Sequence, residues 1–188
     1  RMQEGTAAFV AMIGISAAIA RHQALGLPYL VYLRHPTTGG VMSSWASLGH
    51  VTVAEPGALL GFLGPRVFEA ISGEPFPEGV QRAELLYAHG LIDAVVPPRT
   101  LPRIVAIVLD VLVPSRPAAA AARPEAAEIE QPPVAAWAAV TATRDPARPG
   151  LRRLLDVAAS AVLTLNGTGQ GEADAGILLA LARFGDAS

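Results

Sequence analysis

The sequence predicts an α/β fold, a sheet of short parallel or mixed strands covered by helices. Three observations predict it. Between Arg1 and Leu112 helical and strand-like segments follow one another as helix, strand, helix, strand, strand, helix, helix, strand, helix. The strand-like runs are short, apolar and rich in β-formers, as in strands buried on both faces. Finally, 188 residues with 52% hydrophobic and 16% charged side chains are enough to enclose a core.

Gly5 to Leu25 is apolar on nearly every face and is stopped by Gly26 and Pro28, which reads as a buried helix. Leu27 to Leu33 (LPYLVYL) is a strand bounded by Arg34, His35 and Pro36. Thr37-Thr38-Gly39-Gly40 turns the chain and offers a Thr cap to a helix over Val41 to Leu48, which Gly49 ends. Val51 to Ala54 and Ala58 to Phe62 are strands joined by the Glu55-Pro56-Gly57 turn. Pro65 occupies the first turn of a helix that Arg66 to Ile71 continues, and a Gly and Pro rich loop, Ser72 to Gly79, follows. Val80 to His89 has helical spacing and closes on Gly90; Leu91 to Val96 is a strand; Thr100 caps a helix over Leu101 to Leu112.

Beyond this unit, residues 1–113, composition changes. Pro114 to Pro133 has prolines that withhold backbone donors and little to bury between them, so 114–133 reads as a linker, with a short exposed helix within Ala118 to Glu130 as the other reading. Residues 134–188 read as a helical extension: Val134 to Thr143, Gly150 to Leu165 and Ala173 to Phe184 as helices, with Asn166 to Glu172 a polar loop.

Fourteen Lys and Arg against sixteen Asp and Glu leave a net charge of −2, scattered without basic runs, so a nucleic-acid partner is not expected. The apolar stretch Thr6 to Ala20 is short of the roughly 20 residues of a membrane span, so none is expected either. No basic region precedes it as in a signal peptide, and an opening Arg1 without Met points to a segment of something longer. The chain has no Cys, which removes disulfides, thiolate nucleophiles and sulfur-bound zinc and points to the cytoplasm.

Candidate chemistry is sparse. His22, His35, His50 and His89 have no metal-ligand spacing, and Ser43 and Ser44 lack a nucleophile elbow. The loop NGTGQGE, with Gly167, Gly169 and Gly171, lacks the Lys-Ser or Lys-Thr of a phosphate loop. Pro36 to Gly40 is the better candidate, because it leaves a buried strand and enters a helix with amides unobstructed by side chains. Such a turn holds an oxyanion, or is only a tight connection.

The blocks Arg1 to Gly5 (RMQEG), Pro36 to Val41 (PTTGGV), Ala54 to Val67 (AEPGALLGFLGPRV), Pro77 to Leu86 (PEGVQRAELL) and His89 to Val96 (HGLIDAVV) together resemble the β-type carboxyltransferase component of acetyl-CoA carboxylase. The resemblance covers about Arg1 to Leu112 and implies a crotonase-like (ClpP/crotonase) ββα superhelix. It further implies transfer of a carboxyl group from carboxybiotin, on a biotin carboxyl carrier protein, to acetyl-CoA, giving malonyl-CoA for fatty-acid biosynthesis.

By the same resemblance, the Gly39-Gly40 turn supplies one of the backbone amides that stabilise the thioester enolate. Thr37, Thr38, Gly61, Phe62, Gly64 and Pro65 border the acyl-CoA and biotin pocket. Partners would be an α-type half or subunit, the carrier and biotin carboxylase, in an oligomer. The family's upstream Gly-Gly, which supplies the other oxyanion amide, and a possible zinc ribbon lie outside this chain. Ala136-Trp137 and Arg144 to Pro149 are similar to the opening of the α component. His35 replaces the family's usual Asp before PTTGG, which leaves a non-catalytic scaffold of a carboxylase assembly as the alternative reading. A hydratase, isomerase or hydrolase would need a positioned acid, for which Glu55 is the one tempting residue.

Overall fold

In the computed structural model, which describes residues 4–113, 135–169 and 171–184, most of the expected helices and strands form through Leu112, with shorter strands and with Thr37–Thr38 as an additional one. Helix α1 (Thr6–Ala24) leads through Gly26, at φ +73°, into β1 (Leu30–Leu33). Strand β2 is Thr37–Thr38, β3 Val51–Ala54, β4 Leu60–Gly61 and β5 Ala94–Val95. Helices α2 (Pro65–Ser72), α3 (Ala83–Ala88) and α4 (Leu101–Leu112) lie between and after them.

Strands β1, β3 and β5 form a parallel sheet with β3 central, in the register Leu30 to Val51 and Val53 to Ala94. All four residues of β3 are buried, as a strand covered on both faces should be. A second parallel pair, β2 with β4, sets Thr37 opposite Leu60 and Thr38 opposite Gly61. Between the layers lies a cluster that includes Val31, Leu33, Met42, Leu60, Leu86 and Ile92. Val51 and Val53 pack with Val108 of α4 on the other side.

Three expectations need correction. First, α1 is not a buried helix: none of its residues is buried, and Phe9 and Ile13 are 63% and 61% exposed. It is 19 residues long and, by length and composition, apolar enough to cross a membrane. Its hydrophobicity is spread over every face, so no single stripe directs it into a core. Second, Val41 to Leu48 is not a regular helix. The chain makes consecutive turns through Ser44 and then a single 3₁₀ turn, Trp45–Ser47. Ser43 and Ser44 hydroxyls bond back to the Gly39, Gly40 and Val41 carbonyls, a known competitor of helical pairing.

Third, the C-terminal segment is not all helical. Helices α5 (Ala136–Thr143) and α6 (Leu151–Ala158) form, but Ala159–Leu165 is a strand, β6, paired antiparallel with β7 (Leu179–Phe184). Inward and outward residues alternate strictly along β6, so the governing period is 2 and not 3.6. Leu163, Leu165 and Leu181 join the cluster of Val51, Val53 and Val108, and Arg183 pairs with Asp110 of α4 at 2.6 Å. The hairpin thus shares the core of the preceding α/β unit. The linker expected at 114–133 lies outside the described residues.

Candidate active site

The PTTGG turn is fixed by the sheet before it is fixed by anything else. The Thr37 amide donates to the Leu59 carbonyl and the Gly39 amide to the Gly61 carbonyl, both at 2.9 Å, so the β2–β4 ladder continues into the glycines. His35–Pro36 is a cis peptide. His35 Nδ1 accepts the Leu59 amide at 3.0 Å, while its own amide donates to the Glu55 carboxylate at 3.2 Å. The Thr37 hydroxyl donates to the Arg34 carbonyl at 2.8 Å, so the expected Thr cap is not made there.

Gly39 then adopts φ +67°, a left-handed conformation natural to glycine. After it, the amides of Gly40 and Val41 donate to no acceptor among the described residues. These amides border a cleft of about 850 Å³ between the turn and the first half of α1. Thr38, Gly39, Gly40 and Val41 form one wall, and Phe9, Met12, Ile15, Trp45 and Phe62 supply apolar surface opposite and beside it. A Cβ on Gly40 would lie 2.6 Å from Met12 Sδ, so α1 crosses close over the turn. Cavities of this size, mostly apolar with a few convergent donors, are the usual form of small-molecule sites.

Of the residues expected at the site, Thr38, Gly39, Gly40 and Phe62 line the cleft. Thr37 stands one step back in β2. Gly61 lines a second cavity of about 460 Å³ on the inner side, which Phe62 also borders. A Cβ on Gly61 would fall 2.1 Å from Gln81 Cδ, so the Gln81 amide group packs flat against that strand. Gly64 and Pro65 are the N-cap and first residue of α2 and are not among the cleft residues. Sequence reasoning missed the contribution of α1 and of Trp45, because an apolar helix without periodicity gives no sign of which side faces a ligand.

Glu4 lines the cleft, whereas Glu55, His22, His50 and Asp93 hold parts of the fold. Glu55 is bound to the His35 amide and sits 3.7 Å from Arg34, outside the cleft. His22 meets the Pro28 carbonyl and His50 accepts the Tyr29 amide. Asp93 accepts the Thr52 amide at 2.8 Å and the Asn166 amide at 3.2 Å. Burial raises its carboxyl above the ordinary range, and those two amides only partly oppose the effect. Among the described residues no three His, Cys, Asp or Glu side chains gather as metal ligands would.

Comparison with known proteins gives this geometry a family context. The carboxyl transferase domain family model matches residues 1–101. The probable biotin-dependent acyl-coenzyme A carboxylase beta3 subunit of Mycobacterium tuberculosis (strain CDC 1551 / Oshkosh) is 56% identical over 186 residues, 98% of this chain and 37% of that protein. The acetyl-coenzyme A carboxylase carboxyl transferase subunit beta of Novosphingobium aromaticivorans is 51% identical over 119 residues, 63% of this chain and 42% of its own. Its counterpart in Sinorhizobium medicae is 45% identical over 138 residues, 73% of this chain and 45% of its own. The chain therefore spans less than half the length of these relatives.

Proposed function

Since the chain belongs to the carboxyl transferase domain family, we propose that it is part of the β-type carboxyltransferase of an acyl-CoA carboxylase, with acetyl-CoA as acceptor and malonyl-CoA as product. The observation that carries this reading is the turn itself, two consecutive amides, of Gly40 and Val41, that have no acceptor among the described residues and border an apolar cleft. Removing a proton from the carbon beside a thioester places negative charge on the thioester oxygen. Backbone N–H groups held in place before the reaction stabilise that charge without reorganising, and each is worth roughly 10²–10³ in rate.

Gly39 is the hinge of this device, not its donor. Its own amide is committed to Gly61, so Gly40 provides the first available N–H. Phe9, Met12, Ile15 and Phe62 give the cleft apolar walls against which an acyl chain or a bicyclic ring can pack. When presented by its carrier protein, carboxybiotin would supply the carboxyl group, and the ureido group left behind would take the proton removed from the acceptor. Glu55 is held by His35 and Arg34 outside the cleft, and among the described residues Glu4 is the carboxylate that lines it.

The finer reading has the crotonase-like ββα superhelix as the complete fold and a carrier protein, biotin carboxylase and an α-type half as partners. Malonyl-CoA supply to fatty-acid synthesis in the cytoplasm is its setting. The test is reverse carboxyl transfer from malonyl-CoA to free biotin by the complete polypeptide. Biotin-dependent loss of malonyl-CoA supports the reading, and a set of longer acyl-CoA donors fixes the acyl preference. Hydration or hydrolysis of an acyl-CoA without biotin, with no carboxyl transfer, would overturn it.

A further inference from the structure

The orientation of the two free amides depends on the groups that hold the carbonyls of the same peptides. In a trans peptide the C=O and N–H of one unit point in opposite directions. Whatever grips the Gly39 carbonyl therefore sets the Gly40 N–H, and whatever grips the Gly40 carbonyl sets the Val41 N–H. The Gly39 carbonyl is gripped by the backbone: the Ser43 amide donates to it at 3.2 Å. The Gly40 carbonyl has no backbone donor among the described residues and is gripped by hydroxyls, from Ser44 at 2.5 Å and from Ser43 at a marginal 3.4 Å. The Val41 carbonyl, which takes the Ser44 and Ala46 amides, closes the turn behind them.

We propose that Ser44 is a positioning residue of the carboxyltransferase site: its hydroxyl, by holding the Gly40 carbonyl, keeps the Gly40–Val41 peptide turned so that the Val41 N–H stands beside the Gly40 N–H as a second donor to the thioester oxygen. Without the hydroxyl, only the long Ser43 contact still holds the Gly40 carbonyl among the described residues, and Gly40 carries no side chain of its own to hinder rotation of that peptide. Ser44 is half-buried under the turn, and its hydroxyl reaches the site only through the peptide it holds. This rests on the function proposed above, and the experiment separates the two.

In the complete polypeptide, Ser44→Ala is expected to lower kcat for reverse carboxyl transfer by about tenfold or more, because a donor turned away most of the time forfeits much of its roughly 10²–10³. KM should stay within about twofold, as expected for an interaction made in the transition state. Ser44→Thr, which keeps the hydroxyl, is expected to retain most of kcat. A crystal structure of Ser44→Ala should show the Gly40–Val41 peptide rotated. An unchanged kcat in Ser44→Ala, equal losses in Ala and Thr, or an unrotated peptide overturns the proposal. A wild-type protein without carboxyl transfer overturns the function instead, and the peptide orientation still decides whether Ser44 holds the turn.

Discussion

Replacing Gly39 by Val separates backbone conformation from bulk at the proposed oxyanion turn. Gly39 sits at φ +67°, where the Cβ of an L residue crowds the following carbonyl at a cost of about 1–2 kcal/mol. A β-branched residue raises this toward about 3 kcal/mol. The chain escapes the cost by rotating residue 39 back to negative φ, which breaks the Gly39–Gly61 hydrogen bond and turns the Gly40 amide away. With tenfold for each 1.4 kcal/mol, a preference of about 2–3 kcal/mol leaves the competent turn in roughly one molecule in 30 to 150. Carboxyl transfer from malonyl-CoA to free biotin should fall by about 10²-fold. Gly39→Asn, which tolerates the left-handed region, should stay within about tenfold of wild type. Equal activities for Val and Asn, whether both high or both low, would refute the argument: the first denies that the conformation matters, the second puts the loss down to side-chain volume.

Other perturbations test the frame around the turn. Leu60 is fully buried beside Gly61, so Leu60→Ala should cost about 2–5 kcal/mol in urea denaturation; a cost below about 1 kcal/mol would place Leu60 outside the core. Gly167 has φ +70°, and a Cβ there would lie 2.2 Å from the Glu172 carbonyl oxygen, so Gly167→Ala should loosen the loop and speed amide exchange in β6 and β7. Unchanged exchange would contradict that packing. The buried Asp93 carboxyl binds its proton more tightly in the folded than in the unfolded chain. Its contribution to stability is therefore complete at low pH and is lost as pH rises from about 3.9 through the raised value. Asp93→Asn should remove that downward slope from the urea midpoint measured against pH; a slope unchanged in the variant would assign it to another group.

Where local pattern and tertiary packing agree, the sequence predicts the fold well. LVYL is a continuous apolar run, VTVA is one but for Thr52, and the two lie side by side in a parallel sheet. Gly90, expected to end a helix, does so at φ +69°, following α3. The errors arise where one composition serves two periods. ASAVLTL and LALARF are Ala and Leu rich and read as helix, yet each pairs as a strand because its inward residues meet Val51, Val53 and Val108. That long-range pairing has no local signal. Nor does the closure of the hairpin onto the unit, made by Asp93 receiving the Asn166 amide across 73 positions.

The candidate site shows the same division on a smaller scale. Two glycines after a strand are visible in the sequence, and so is the chemistry their amides allow. Which amide is free is not, because that depends on register: Thr38 lies opposite Gly61, so the next ladder bond falls on the Gly39 N–H and consumes it. A shift of β2 by one residue would present the other parity and leave a different amide facing the cleft. The buried side chain of Leu60 and the Gln81 amide packed against Gly61 hold β4 in that register. Residues that never meet the substrate therefore decide which backbone donor the cleft receives.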